Sequence, residues 1–455
     1  MVFEKVSKML KKAFEWINEA GSNPVIMAAT CDLNGIWRGK RIPVTQVEKV
    51  LSEGIRIPIS ASCVDVWGAD LEDSPFLFET GDSDGNGLST GVGLLPDYAN
   101  EKNSALIPLW IFDNQAVSSP IDPRHVLNGV IQKFKNLNLR PVVAFELEFY
   151  LLEIQGDRQL NPLKDLNESA LPTNVLSITD LDSNKEFFND LYRVCGEFDI
   201  PMEGVSSENA AGQFEINLKH VDNPLRAADH AVFFKRFIKL IAKKHNKTAT
   251  FMAKPFSKIS GSGMHVHMSL LDSKGNNVFN NDTDLGSEIL KSSVAGLLDN
   301  MSESTLIFAP HFNSYKRLRP GTHAPINICW GYENRTAAVR VPGGNYAAKR
   351  IEHRVAGADA NPYLVLSSIL ASVLDGIIHK KVPSDPVLGD TYREKLLQIP
   401  MSWDQAIQSF GSSKRNGNFY SEVFCNVFKN CKRQELENFN ARIEDHEINT
   451  YLESI

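Results

Sequence analysis

Pro141-Val-Val-Ala-Phe-Glu146-Leu-Glu148-Phe-Tyr150-Leu-Leu152 is the stretch on which the reading of this chain turns. It is an apolar run of strand length, and its period-two alternation puts Glu146 and Glu148 on one face with Phe145, Leu147 and Phe149 on the other. Like charges inside an apolar run repel each other and lose hydration, so they persist cheaply only beside cations. A lone Glu-x-Glu would suit an exposed sheet face equally well, but three further segments share the pattern. Gln213, Glu215 and Asn217 alternate with Phe214, Ile216 and Leu218; His265, His267 and Ser269 alternate with Met264, Val266 and Met268; Arg350, Glu352 and Arg354 alternate in sign. Strands that each present ionisable groups at period two predict a charged chamber.

The chemistry of that chamber follows from the residue types. Glu146, Glu148, Glu208, Glu215, Glu352 and His265 form an oxygen-rich, cysteine-free ligand set that suits Mg²⁺ or Mn²⁺ better than zinc. Six ligands complete two sites if water and substrate supply the rest. Arg317, Arg335, Arg340, Arg350 and Arg354 are planar five-donor groups of the kind that grip phosphates and carboxylates bidentately. Two divalent ions facing several arginines fit phosphoryl transfer, with a two-metal phosphohydrolase as a competing reading. There is no Walker A sequence and no GxGxxG after a strand, so a nucleotide site must be of another kind.

The remainder of the 455 residues bounds these readings. The length suggests roughly two or three domains or one large α/β unit. With 48 basic and 55 acidic side chains the net charge is −7, which argues against a nucleic-acid binder with a broad cationic face. An apolar content of 42% predicts a sizeable core. The longest apolar stretch, Tyr363 to Ile378, is broken by Ser367, Ser368, Ser372 and Asp375 and reads as a buried helix, so no membrane span is expected. Six scattered cysteines without a CxxC pair, and charges where a signal peptide needs an apolar run, predict a reducing, cytoplasmic setting. Residues 3–17 carry a helical apolar stripe ending near Gly21, and strand-like runs follow at Val25 to Ala29, Ile55 to Ile59 and Ala105 to Phe112. The Gly/Asp/Ser-rich stretch 79–103 reads as a loop; its Asp82-Ser-Asp84-Gly-Asn86-Gly87 start resembles a calcium loop, but Gly93 stands where the bidentate Glu is required. Val117 to Arg124, rich in Pro and Ser, precedes a helix-like Val126 to Lys135 and sets the expected boundary between an N-terminal domain, 1–119, and a catalytic domain, 120–455.

The chain resembles the glutamine synthetase family, and within it the γ-glutamylputrescine (γ-glutamylpolyamine) synthetase branch, from about Val25 to Tyr451. The resemblance is carried by Asp32-Leu-Asn-Gly-Ile-Trp-Arg-Gly-Lys-Arg41, Glu146-Leu-Glu-Phe-Tyr-Leu-Leu152, Ala211-Gly-Gln-Phe-Glu-Ile-Asn217, Lys254-Pro, Gly261-Ser-Gly-Met-His-Val-His267, Asn313-Ser-Tyr-Lys-Arg-Leu318, Asn334-Arg-Thr-Ala-Ala-Val-Arg-Val-Pro342, Arg350-Ile-Glu-His-Arg354 and Ala360-Asn-Pro-Tyr363, in that order. It implies an α+β fold: a β-grasp N-terminal domain with a leading helix, then a catalytic domain whose antiparallel sheet forms a half-barrel flanked by helices. It implies that Glu148, Glu208 and Glu215 hold one metal and Glu146, His265 and Glu352 a second. Gly261, Arg317, Arg335 and Arg354 would bind glutamate, and Glu203, His267, Ser269, Arg340 and Arg350 would face ATP. It implies a dodecamer of two hexameric rings with active sites between subunits, where Asp65 of one N-terminal domain would reach a neighbour's site as the base. The implied reaction is two-step, with attack of the glutamate γ-carboxylate on ATP followed by attack of an amine on γ-glutamyl phosphate. Arg340, Asp65 and His323 are the expected catalytic residues.

Two positions depart from the glutamine synthetase pattern. Asp65-Val-Trp-Gly68 stands where the family has Asp-Gly-Ser-Ser, and His323, six residues after Arg317, stands where it has a glutamate that helps bind ammonium. A neutral imidazole lacks the charge that draws a small bare cation. Both departures point to an amine larger than ammonia: putrescine or a polyamine, or an alkyl or aromatic monoamine with Trp67 and Trp330 as pocket walls. The alternatives are an ordinary ammonia-using glutamine synthetase and a catalytically silent relative.

Overall fold

The computed structural model describes residues 2–21, 23–97, 103–155, 159–161, 175–321 and 324–455. The amphipathic stripe near the N-terminus forms the helix Val2–Glu19, and Gly21 follows in the left-handed region at φ 82°. Six strands come next: β1 (Val25–Cys31), β2 (Trp37–Ile42), β3 (Ile55–Pro58), β4 (Asp84–Ser89), β5 (Leu95–Asp97) and β6 (Ser104–Phe112). They form a sheet in the order β2-β1-β6-β4-β3, with β5 also on β6. β1 and β6 pair in parallel, the first strand beside the last, as in a β-grasp.

One sequence expectation changes here. The Gly/Asp/Ser-rich stretch 79–103 is not all loop, since it holds β4 and β5. A Cβ on Gly85 would lie 2.4 Å from the Phe112 carbonyl oxygen, and one on Gly87 3.0 Å from the Leu109 side chain. These glycines let β4 lie against β6, so residues that normally signal a turn here signal close backbone approach.

The chain crosses to the second layer through Asp122. This residue caps the helix Pro123–Lys135 by accepting from the Arg124 and His125 amides, and it also accepts the Ile111 amide of β6 at 2.8 Å. Arg124 then makes a two-pronged bond to Asp229 at 2.8 and 3.0 Å, and the Tyr363 hydroxyl donates to the same carboxylate at 2.7 Å.

The second sheet contains β7 (Arg140–Gln155), β8 (Gln159–Asn161), β9 (Met202–Ser207), β10 (Gln213–Leu218), β11 (Lys247–Thr250), β12 (Met264–Leu271), β13 (Trp330–Tyr332), β14 (Val339–Val341) and β15 (Ile351–His353). Its order is β13-β14-β15-β12-β7-β10-β9, with β8 and β11 also on β7. Apart from the β13–β14 pair it is antiparallel, and it forms the open half-barrel. Its apolar face, which includes Phe145, Leu147, Phe149, Phe214, Ile216, Met264 and Val266, is buried in the main core. Helices such as Pro224–Lys244, Glu288–Phe308 and Pro362–Ile378 belong to that core. Among the described residues no helix is long and apolar enough to cross a membrane.

Candidate active site

The polar face of the half-barrel is set by register. β10 and β12 flank β7, so Glu215 sits opposite Glu148, while Asn217 and His265 stand on either side of Glu146. One step along, His267 lies opposite Glu352, and Glu352 opposite Arg340. Facing residues on adjacent strands approach within side-chain reach, so alternation on four strands becomes two rows of converging groups.

The contacts follow these rows. Glu146 Oε2 lies 3.1 Å from His265 Nδ1, and its Oε1 lies 2.8 Å from His267 Nε2 and accepts from Asn217 Nδ2 at 3.0 Å. Glu352 accepts from Arg340 Nη1 at 2.8 Å and from Arg354 Nη1. Glu148 accepts the Gly263 amide at 2.7 Å. Gly263 must be small, because a Cβ there would stand 2.7 Å from Arg317 Nη2.

Glu146, Glu215 and His265 offer ligand atoms that all lie within 4.8 Å of one another, as do those of Glu146, His267 and Glu352. Burial tends to raise Glu146, but hydrogen bonds from His265 and His267 outweigh it and hold the carboxyl below its usual range. Glu208 is pushed up to about 7, first by burial and then by Glu148. Glu215 is pushed up to about 9 by burial and by Glu146, Glu148 and Glu208. Burial raises Glu352 too, but Arg354 and the two histidines bring it below normal. The Glu146, Glu148, Glu208 and Glu215 cluster is therefore short of positive charge, and a divalent cation meets that need better than protons do. The ligand set of carboxylates and imidazole fits Mg²⁺ or Mn²⁺.

The arginines lie around this cluster. The Arg340 and Arg354 Nε atoms are buried without a partner, donors suited to an anion. Arg317 is buried, reaches the Val355 carbonyl at 2.8 Å, and feels the field of Glu148. Arg350 Nε lies 3.3 Å from His267 Nδ1, and Arg335 is exposed but close enough to stabilise charged Glu208. Gly261 packs under Arg317, where a Cβ would meet its side chain at 2.9 Å.

The remaining expected residues lie as follows. His267, assigned by resemblance to ATP, also belongs with Glu146 and Glu352, because it shares a strand face with His265. Ser269 lies further along that face, opposite Val142, and Glu203 is exposed beside an irregularity in the β9–β10 pairing; no contact of either with the cluster is described. Asp65 has no exposed surface. Its Oδ1 accepts the Trp67 and Ala69 amides at 3.0 and 2.8 Å, and its Oδ2 accepts from Gln434 Nε2 at 3.1 Å. Within the single chain this carboxylate is spent on internal contacts, which would have to open for it to reach a neighbour's site. Neither tryptophan lines the cluster. The buried Trp330 donates to the Ser384 carbonyl at 2.7 Å, and Trp67 packs 5.2 Å from Phe439 under the Arg442 guanidinium. His323 lies outside the described residues.

The sequence reading missed three contributors. Asn217 had been placed on the correct face but given no role. Glu333 accepts from Arg340 Nη2 at 2.9 Å from a left-handed backbone (φ 52°) that nothing in its sequence announces. Asp359 accepts the Ser314 hydroxyl at 2.6 Å at the start of the short helix Ser314–Arg317, and it had no sequence signature at all.

Comparison with known proteins places the whole chain in a family. Residues 120–451 match the family model described as glutamine synthetase, catalytic domain. The chain is 37% identical over 427 residues to the γ-glutamylputrescine synthetase PuuA of Escherichia coli (strain K12), covering 93% of this chain and 90% of that protein. It is 32% identical to a glutamate–isopropylamine ligase of a Pseudomonas species, covering 99% of this chain and all of the other. The solved structure of a GmaS/ADP complex superposes with a TM-score of 0.83 at 25% identity, covering 97% of this chain and 99% of that one. By its sequence match and its fold, the chain belongs to the glutamine synthetase family.

Proposed function

We propose that this chain is an ATP-dependent ligase that joins the γ-carboxylate of L-glutamate to a primary amine larger than ammonia. The observation that carries the reading is the convergence of Glu146, Glu215, His265, His267 and Glu352 on one sheet face, with ligand atoms in two groups of less than 4.8 Å extent. Glu148, Glu208 and Glu215 would hold one divalent ion and Glu146, His265 and Glu352 a second; Glu146 stands in both of the groups that converge, with Glu215 and His265 and with His267 and Glu352. Bound there, the ions would offset phosphate charge as ATP reacts.

The protein's own groups do the positioning. Arg317, Arg335 and Arg354, with Gly261, hold glutamate, and the unpartnered Arg354 donor is available to a carboxylate. Arg340 and Arg350 face the nucleotide, and Arg340 Nε can follow the transferring phosphoryl group onto the γ-carboxylate. The γ-glutamyl phosphate so formed is attacked by the amine, with release of phosphate. An ammonium ion has no lone pair, so the amine must lose a proton before it attacks. With Asp65 sealed, His323 is the residue we assign to the acceptor side, on the sequence departure alone. The named activities of the PuuA protein and the isopropylamine ligase support an amine acceptor of this size class. We place the enzyme in the cytoplasm, where its six free thiols stay reduced, and as a ring-forming homo-oligomer like others of its family.

The test is phosphate release with ATP, Mg²⁺ and glutamate across ammonium, putrescine, spermidine, ethanolamine, isopropylamine and aniline. Glutamate-dependent turnover with the highest kcat/KM on one of the larger amines is expected. Highest kcat/KM on ammonium would restore the ordinary glutamine synthetase reading, and phosphate release without glutamate would favour a phosphohydrolase.

A further inference from the structure

Away from the carboxylate cluster, a cavity of about 660 Å³ opens between the N-terminal domain and the helix Pro224–Lys244. One side is that helix, which contributes Lys235, Arg236, Lys239 and Lys243. Lys235, Lys239 and Lys243 follow one another at four-residue spacing, so they form a stripe about 12 Å long on one helix face. Trp37 and Phe251 line the cavity beside these cations, with Lys235 and Lys239 over the Phe251 ring. Among the described lining residues, Asp359 is the one carboxylate against these four cations.

Two of the cations are already engaged. Lys235 Nζ donates to the Ala358 and Ala360 carbonyls at 2.7 and 3.2 Å, and Arg236 lies 3.8 Å from Asp97. Lys239 stands 5.8 Å from the centre of the Phe251 ring, and no carboxylate partner is described for it or for Lys243. Burial and the neighbouring Lys243 both disfavour the charged form of Lys239, and burial and Lys239 together push Lys235 down to about 7. A cavity wall that holds like charges together in this way is stabilised by an anion.

We propose that this cavity is a second anion site, which takes a chain of phosphates rather than a single carboxylate. Lysines are point charges without the planar fork that selects carboxylates, and an extended stripe matches an extended anion. The volume lies within the range of small-molecule sites. Trp37, half-buried with its ring stacked on Phe233 at 5.9 Å, also lines the cavity, so the phosphates could belong to an inorganic oligophosphate or to the tail of a nucleotide. Asp359 links the cavity to the reaction centre. It bonds Ser314, three residues before Arg317, so an occupant that draws Lys235 away from the 358–360 segment would shift the support of Arg317.

The experiment is lysine acetylation footprinting on the full-length protein at low salt, with inorganic tripolyphosphate, ATP or citrate added. At least a fivefold slowing of acetylation at Lys239 and Lys243 by tripolyphosphate, and a weaker effect of citrate, is expected. Protection by ATP at concentrations above active-site saturation would assign the site to nucleotide tails, and protection by tripolyphosphate alone to inorganic chains. A Lys239→Gln/Lys243→Gln variant should lose the thermal stabilisation that tripolyphosphate gives the wild type, by tenfold or more in apparent affinity, with basal ligase activity unchanged. No protection, equal protection by citrate, or stabilisation undiminished in the double variant would each overturn the proposal.

Discussion

Replacing Glu215 by Gln tests the central feature of the site, a cluster of mutually repelling carboxylates proposed to bind divalent cations. In the metal-free chain Glu208 sits near 7 and Glu215 near 9, both from an ordinary 4.5. At pH 7 they would therefore carry about 0.5 and about 1 proton, and ordinary glutamates about 0.01 in total. Metal ligands must be deprotonated, so saturating the cluster with Mg²⁺ or Mn²⁺ should release about 1.5 protons per chain. The release should fall to roughly 0.2 at pH 9.5. Calorimetric titrations in two buffers of different ionisation enthalpy measure this number directly. Glu215→Gln should cut the release at pH 7 to about 0.5 and abolish most ligase activity.

Stability gives an independent readout. Both carboxyls keep protons in the folded chain at pH values where the unfolded chain has lost them. The folded state therefore binds more protons, and metal-free stability falls as pH rises from about 4.5 through 7 and 9. Glu215→Gln removes a carboxyl that must either hold a proton it would lose on unfolding or repel its neighbours, so in EDTA at pH 8 to 9 its Tm should lie above that of the wild type. Proton release near zero in the wild type, or a variant that melts lower in EDTA while releasing as many protons, would falsify the account of the cluster.

Three further outcomes are expected. Asp65→Asn keeps an oxygen for the Trp67 and Ala69 amides, so kcat should stay within about threefold, whereas loss of a true general base costs about 10²–10⁴-fold; Asp65→Ala, which orphans both amides, should cost about 2–4 kcal/mol in denaturant melts. Gly263→Ala places a Cβ 2.7 Å from Arg317 Nη2, and steady-state kinetics should show a raised KM for glutamate with little change in Tm. His323→Glu should raise kcat/KM for ammonium relative to larger amines by about tenfold, the order of one favourable charge contact of about 1.4 kcal/mol; an unchanged ratio would remove His323 from acceptor selection.

Much of the carboxylate and histidine cluster could be read in advance because strand alternation is a local rule. Once Glu146 and Glu148 lie within an apolar strand, their facing direction follows, and the same holds for Glu215, His265 and Glu352. What period two leaves open is which strand lies beside which, and at what offset. That is why His267 could be assigned to ATP although its register places it against Glu352 and close to Glu146. Gly85 and Gly87 misled for a related reason. A glycine that permits a turn and one that admits a neighbouring backbone look alike in sequence, and only the carbonyl of Phe112 distinguishes them.

Asp65 marks the limit most clearly. Its sequence neighbourhood matched a motif, but its environment comes from Gln434, 369 positions away along the chain. Residue order therefore determined the side-chain types of the cluster, the strand faces and the two-layer plan. Tertiary structure alone decided which carboxylates repel, which arginine nitrogens stay unpaired and which acid is sealed from solvent. Those properties depend on distances and dielectric surroundings between segments remote in sequence, and no local pattern encodes them.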